Sequence, residues 1–405
     1  MKNFIFLSPN FPETYWMFCN ELKNNGMRVL GIGDCPYDQL KEELKNSLHE
    51  YYKVSSLENN DEVFRAVAFF SYKYGKIDYL ESNNEYWLER DAWLRTEFHI
   101  TSGFQAEEME KVKCKSAMKE FYAKAGIPTA RYHLVHGYEA AASFANHVGY
   151  PVVVKPDNGV GASSTYRLHN DEELQFFMDT KNPEVQYVME EMVKGVVTTY
   201  DAIINSKGEA IFESGNVTLL SLMDVVNDGG DSLYYLYKEI PEDVRDAGLR
   251  TVKAFGVKSR FVHLEFFRLT EDQEGLGKAG DIIGLEVNMR PAGGYTPDMY
   301  NYAYETDVYK IWADMICFDY STKPLGNRHF CAFIGRRDNV AYALDHDAAM
   351  AKYGHKMVMQ GRIPDALSGA MGNIMYVCNL DTEEEMNEYY RDMIQIGRAS
   401  CRERV

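Results

Sequence analysis

The chain has 405 residues, 45% hydrophobic and 26% charged, with a formal net charge of −18. That length requires two to three packed units rather than one core. The acidic balance argues against nucleic acid as a partner, and no apolar run is long enough to cross a membrane, so a soluble chain is expected.

In chain order, Phe4–Leu7 reads as a first strand, the stretch from Tyr15 to Asn24 as an amphipathic helix, and Arg28–Ile32 as a second strand. Alternation of this kind predicts an α/β domain with a parallel sheet over residues 1–110. Gly31-Ile32-Gly33-Asp34 follows the second strand and lacks the third glycine of a dinucleotide fingerprint, so it reads as an ordinary strand-to-loop turn. A helical pattern runs from Glu107 to Ala125 and is stopped by Gly126-Ile127-Pro128. A second unit is expected from residue 111 to 320, divided near 188, and a third α+β segment from 321 to 395. The last ten residues, Ile396 to Val405, match the translation of a common sequencing adapter, and they are expected to be non-native. Seven cysteines without a Cys-x-x-Cys pair suggest neither a disulfide framework nor a zinc site, which fits a reducing cytoplasm.

The richest segment is Leu285-Glu286-Val287-Asn288-Met289-Arg290-Pro291. Strand alternation puts Glu286, Asn288 and Arg290 on one face and the apolar residues on the other. Upstream, Val262, Leu264 and Phe266 alternate with Glu265, which offers a second carboxylate to the same space, with His263 beside it. Two carboxylates and an amide oxygen suit magnesium, a hard ion that keeps waters and is completed by substrate phosphates. A solvated strand face is the bland alternative, and Arg290 alone is as compatible with a structural ion pair.

Lys155 closes the β-branched run after Tyr150-Pro151 and precedes a loop of small residues that includes Gly159, Gly161, Ser163 and Ser164. Amides in such a loop approach phosphate oxygens closely, although lysine precedes the glycines, unlike a P-loop. A solvated hairpin explains the pattern equally well. Lys115, taken alone, reads as a helix-surface lysine. Gln186 to Gly195 reads as a strand running into a turn, in which Glu190 is placed to accept from an adenine amino group. Asp201 is a candidate for ribose hydroxyls, and equally a turn residue.

Together these segments resemble the ATP-grasp superfamily, in particular its amino-acid ligases and its biotin-carboxylase-like and carbamoyl-phosphate-synthase-like members. Lys113-Cys114-Lys115-Ser116 to Pro128 is similar to the family's first lysine helix, and Tyr150 to Ser164 to its second lysine and glycine-rich loop. Val188 to Val193 resembles the adenine hinge, with Glu191 and Val193 at the family's contact positions. Glu265, Glu286, Asn288 and Arg290 match its metal ligands and catalytic arginine. The sequence departs from the pattern after the hinge glycine, where Gly195 is followed by Val196-Val197-Thr198 rather than an acidic residue.

The resemblance implies an ATP-grasp fold of mixed α/β and α+β class, with a Rossmann-like N-terminal domain and a small C-terminal α+β segment. It implies an enzyme that joins a carboxylate to an amine through an acyl phosphate, releasing ADP and phosphate. ATP and two magnesium ions, replaceable by manganese, would be its cofactors, and small carboxylates and amines such as amino acids its substrates, in a homodimer. A phosphotransferase built on the same site and a non-catalytic ATP-binding module are the competing readings.

Overall fold

The computed structural model describes residues 1–159, 164–219 and 229–396. Gly161 and Ser163 of the small-residue loop, and all but the first of the last ten residues, lie outside them. Four parallel strands form the first sheet, in the order β3-β2-β1-β4: β1 (Asn3–Leu7), β2 (Arg28–Gly33), β3 (Glu50–Lys53) and β4 (Tyr79–Glu81). The expected parallel α/β arrangement is therefore present, with helices Trp16–Asn24 and Asn60–Tyr74 supplying the crossovers. The glycines Gly31 and Gly33 lie inside β2 rather than in a turn after it. A Cβ on Gly33 would sit 2.5 Å from the Tyr51 hydroxyl on β3, so the missing side chain makes room for that ring.

The second sheet is antiparallel, with the order β5-β8-β6-β7: β5 (Tyr132–Val135), β6 (Val152–Pro156), β7 (Tyr166–Leu168) and β8 (Tyr187–Glu191). Helices Tyr138–Val148 and Asp171–Thr180 cover it around a small apolar core.

A nine-stranded sheet completes the molecule: β9 (Gly195–Ile204), β10 (Ala210–Ser214), β11 (Asn216–Thr218), β12 (Ser232–Leu236), β13 (Arg260–Leu269), β14 (Ile282–Asn288), β15 (Phe330–Arg336), β16 (Met357–Arg362) and β17 (Ile374–Leu380). Its path runs β14-β13-β9-β11-β12-β15-β17-β16, with β10 paired to β9. The three strands of the C-terminal segment thus extend the sheet that carries Glu265 and Glu286.

The helical pattern from Glu107 to Ala125 is broken at Cys114, which is extended (φ −90°, ψ 117°) and bridges Asn158. The break has a tertiary cause. Lys115 N donates to Asp157 O at 2.9 Å, while the Asp157 carboxylate accepts from Ser116 N at 2.8 Å and Ser116 Oγ at 2.7 Å. A distant aspartate therefore performs the capping that a local residue usually supplies, and a fresh helix, Lys115–Lys124, starts there. Tyr122 lies against β14 at Gly284, where a Cβ would come within 2.7 Å of the ring. The glycine lets this helix sit close on the strand pair β13/β14.

The first sheet is tied to the rest by an apolar contact: Trp312, on helix Val308–Phe318, meets Phe4, Phe6 and Phe18 at ring-centroid distances of 5.7, 6.5 and 4.9 Å. A buried charge cluster adds to it, with Glu81 paired to Arg95 and to Arg260 of β13. Truncating so large a buried side chain costs about 3–5 kcal/mol. Trp312→Ala should accordingly lower the urea midpoint of a tryptophan-independent signal such as far-UV circular dichroism, and an unchanged midpoint would show that the contact does not hold the first domain.

Candidate nucleotide and metal site

The site forms where the last two sheets face each other, and its electrostatics follow from strand register. On β8, Glu190 lies opposite Val153 of β6, so Lys155 two residues on is its diagonal neighbour on the same face. Lys155 Nζ is 2.7 Å from one Glu190 oxygen, and Lys119 Nζ is 2.6 Å from the other. Burial by itself would raise the Glu190 carboxyl, but the two ammonium groups hold it down at about 2. Lys119 was not singled out from the sequence. Its signal was its position four residues after Lys115, on the same helix face.

Glu191, the next residue, points the opposite way. Its carboxylate accepts from Arg131 N at 2.7 Å and from the Arg131 guanidinium at 2.6 Å, so it is a buried structural partner that fixes β8 against the chain entering β5. The turn after β8 is clamped by Gln273, which donates to Met192 O at 3.0 Å and accepts from Lys194 N at 3.1 Å. Val193 between them is buried against Leu269, Leu276 and Ile283. The hinge is thus a rigid strand end whose carboxylates face two different surroundings.

Lys115 Nζ lies 3.2 Å from Glu286 and donates to Gly159 O at 3.2 Å. With Lys155, Asn158, Gly159 and Ser164 it lines an open cavity of about 170 Å³. The two lysines expected from different segments therefore meet at one cavity, beside the described edges of the small-residue loop.

Glu265 and Glu286 are paired directly across β13 and β14, and His263 is paired with Asn288. The Glu286 carboxyl is pushed up by burial, against the pull of Lys115, and the Glu265 charge pushes it further the same way. Glu265 is held below its usual value in spite of burial, by His263 first and then by Arg290 and Lys155. Two half-buried carboxylates, one of which is pushed up by the charge of the other, are a fitting receptor for a divalent cation. Asn288 donates to Glu265 Oε1 at 3.2 Å and accepts at Oδ1 from Arg290 at 3.2 Å. Among the described residues no group of three or more His, Cys, Asp or Glu side chains is placed to hold a metal ion, so a cation here would need Asn288, phosphate or water oxygens as well. An open oxygen site completed by phosphates and water is the arrangement magnesium prefers.

Arg290 also donates to Pro291 O at 2.7 Å, and its Nε lies 3.3 Å from Glu85 Oε2. Glu85 in turn pairs with Lys113 at 2.7 Å. The first domain thereby touches the arginine, through a residue that composition and spacing did not mark. Asp201 lies elsewhere than the ribose role requires: it is completely buried in β9, its two oxygens engaged by His263 Nδ1 at 2.6 Å and Thr199 Oγ1 at 2.9 Å. Burial opposes charge on the imidazole, yet Asp201 and Glu265 raise the His263 pKa to about 9.

Residues 110–194 match a family model described as the carbamoyl-phosphate synthase L chain, ATP binding domain. The L-arginine-specific L-amino acid ligase of Bacillus subtilis is 24% identical over 241 residues, 57% of this chain and 56% of that protein, so the chain spans about half the length of that relative. Among solved structures, an L-amino acid ligase from Bacillus licheniformis superposes with a TM-score of 0.65 at 13% identity, covering 98% of this chain and 99% of that one. The biotin carboxylase domain of Hydrogenobacter thermophilus 2-oxoglutarate carboxylase, solved as a dimer with MgADP, ADP and bicarbonate, gives 0.68 at 15% identity over 97% and 89%. At these identities the likeness establishes the fold. No helix among the described residues is long and apolar enough to cross a membrane.

Because the Glu190 carboxyl is depressed in the folded chain, its stabilisation is complete above pH 4.5 and is lost as pH falls towards 2. Glu190→Gln leaves two buried lysines sharing a neutral partner, and breaking such a pair costs about 3–5 kcal/mol. The variant should melt earlier than wild type at pH 7, and the difference should shrink on acidification between pH 4.5 and 2. A gap that stays constant over that range would contradict the assignment.

Proposed function

We propose that this chain, which has the ATP-grasp fold, is an ATP-dependent carbon–nitrogen ligase that activates a carboxylate as an acyl phosphate and transfers the acyl group to an amine. The observation that carries this reading is the convergence of Glu265, Glu286 and Asn288 on one strand pair, with Arg290 just past its end, beside a cavity lined by Lys115 and Lys155. Binding alone requires the lysines and the hinge. It gives no reason to keep an arginine beside the cation site, where a transition state gains charge.

In this reading Lys115 and Lys155 hold the phosphates, with Gly159, Gly161, Ser163 and Ser164 contributing loop contacts. The segment Glu190–Val193 receives the adenine. Lys155 already carries a carboxylate partner in Glu190, so its charge is held in place before nucleotide arrives. Magnesium, with manganese as a substitute, would be held by Glu265, Glu286 and Asn288, and would neutralise the triphosphate. A substrate carboxylate oxygen bonds to the γ-phosphorus as the bond to ADP breaks. The amine nitrogen then bonds to the acyl carbon, phosphate leaves, and the nitrogen gives up a proton. Arg290 stabilises the oxyanion formed between those two bond changes. Amino acids are the substrate class that the L-amino acid ligase relatives favour. A cytoplasmic homodimer completes the reading, the dimer being supported by the biotin carboxylase domain.

Incubating the chain with magnesium-ATP and pooled amino acids, with product masses read directly, tests the assignment. New amide masses should accumulate with ADP, and Arg290→Ala should lower that rate by about 10²–10³-fold while leaving ADP affinity nearly unchanged. ADP with a phosphorylated product and no amide would instead assign a phosphotransferase, and tight ATP binding without turnover a regulatory module.

A further inference from the structure

Asp201 is a fully buried carboxylate in the nine-stranded sheet, outside the reach of the cavity that the lysines line. Such a group is costly to bury and is retained only where a partner uses it. Its partner is His263, directly opposite it in the register between β9 and β13. Thr199 fixes the second Asp201 oxygen, and Thr199 Oγ1 itself accepts from Asn216 N at 2.9 Å, so the aspartate is anchored to β11 as well. On its other side His263 presents Nε2 to Glu265 Oε1 at 3.2 Å. Asn288 donates to that same oxygen. Two groups therefore converge on Oε1, and no hydrogen bond or ion pair reaches Oε2 among the described residues.

We infer that Asp201 and His263 form a positioning pair that turns the Glu265 carboxylate so that Oε2 faces the divalent cation. The inference rests on the reading of Glu265 as a cation ligand. Asp201 fixes the imidazole orientation through Nδ1, and the imidazole fixes the carboxylate through Nε2. This is the outer-shell arrangement by which a protein orients a ligand it cannot hold by packing alone. A merely structural role for the pair would leave cation affinity indifferent to which group faces Glu265.

The test uses the full chain and two binding measurements, neither of which needs turnover. Manganese binding is followed by the loss of the free-ion electron paramagnetic resonance signal, and ADP binding in excess EDTA by calorimetry. His263→Ala should weaken manganese binding by about 10–100-fold with metal-free ADP affinity unchanged. His263→Gln, which keeps a donor within reach of Glu265, should recover most of the loss. Asp201→Asn should fall between wild type and His263→Ala, and combining it with His263→Ala should add nothing further. If His263→Ala is not folded by circular dichroism, Asp201→Asn and His263→Gln carry the same comparison. Wild-type manganese affinity in the variants, additive losses in the double variant, or an equal loss of metal-free ADP binding would each overturn the pair. Wild-type protein that binds ADP but no manganese would overturn the reading of the cation site itself, a result distinct from any of these.

Discussion

Two half-buried carboxylates, Glu265 and Glu286, face each other across one strand pair, and much of the surrounding charge compensates them. The Glu265 charge pushes the Glu286 carboxyl up, in the same direction as burial. Lys115 approaches Glu286 from a helix, His263 approaches Glu265 from its own strand, Asn288 ends β14, and Arg290 follows in the bend after it. Each compensating group is held in turn by a further one: Arg290 by Glu85, Glu85 by Lys113, His263 by Asp201. The result is a continuous line of polar contacts from the first domain to the middle of the large sheet.

The second charge centre is simpler. Glu190 sits between Lys119 and Lys155 and fixes both in a buried place, its charge opposing the pull of burial on each. Because β8 alternates, the adjacent Glu191 is turned away and spent on Arg131. Two neighbouring glutamates with the same composition therefore have different work, and only the register of the sheet tells them apart.

This shows where the sequence was legible. The parallel first sheet followed from alternation of strand and helix patterns, and Glu286 and Asn288 fall two apart on β14, whereas Arg290, expected on the same strand face, lies in the bend after the strand and reaches Asn288 from there. Lys155 was placed correctly at a strand end. What could not be read were the contacts that depend on chain segments far apart. Cys114 interrupts a pattern that is helical on both sides, because Asp157, more than forty positions later, supplies a better cap than the local sequence does. Glu85 reaches Arg290 only after two domains are packed together. Asp201, read as a ribose candidate or equally a turn residue, lies inside the long strand β9, where His263 on the neighbouring strand and Thr199 on its own engage its carboxylate.

The clasp between Asp157 and the start of helix Lys115–Lys124 has a consequence for how such a chain changes over generations. Lys115 and Lys155 are both pinned on the near side of that clasp, one by the cap and the other by the strand that leads into it. Insertions or deletions after Gly159 would therefore alter the length of the segment that follows without changing the spacing of the two lysines. The geometry thus fixes the separation of the two lysines independently of the length of the loop that follows, with Asp157 as the boundary stone between the lysines and that loop.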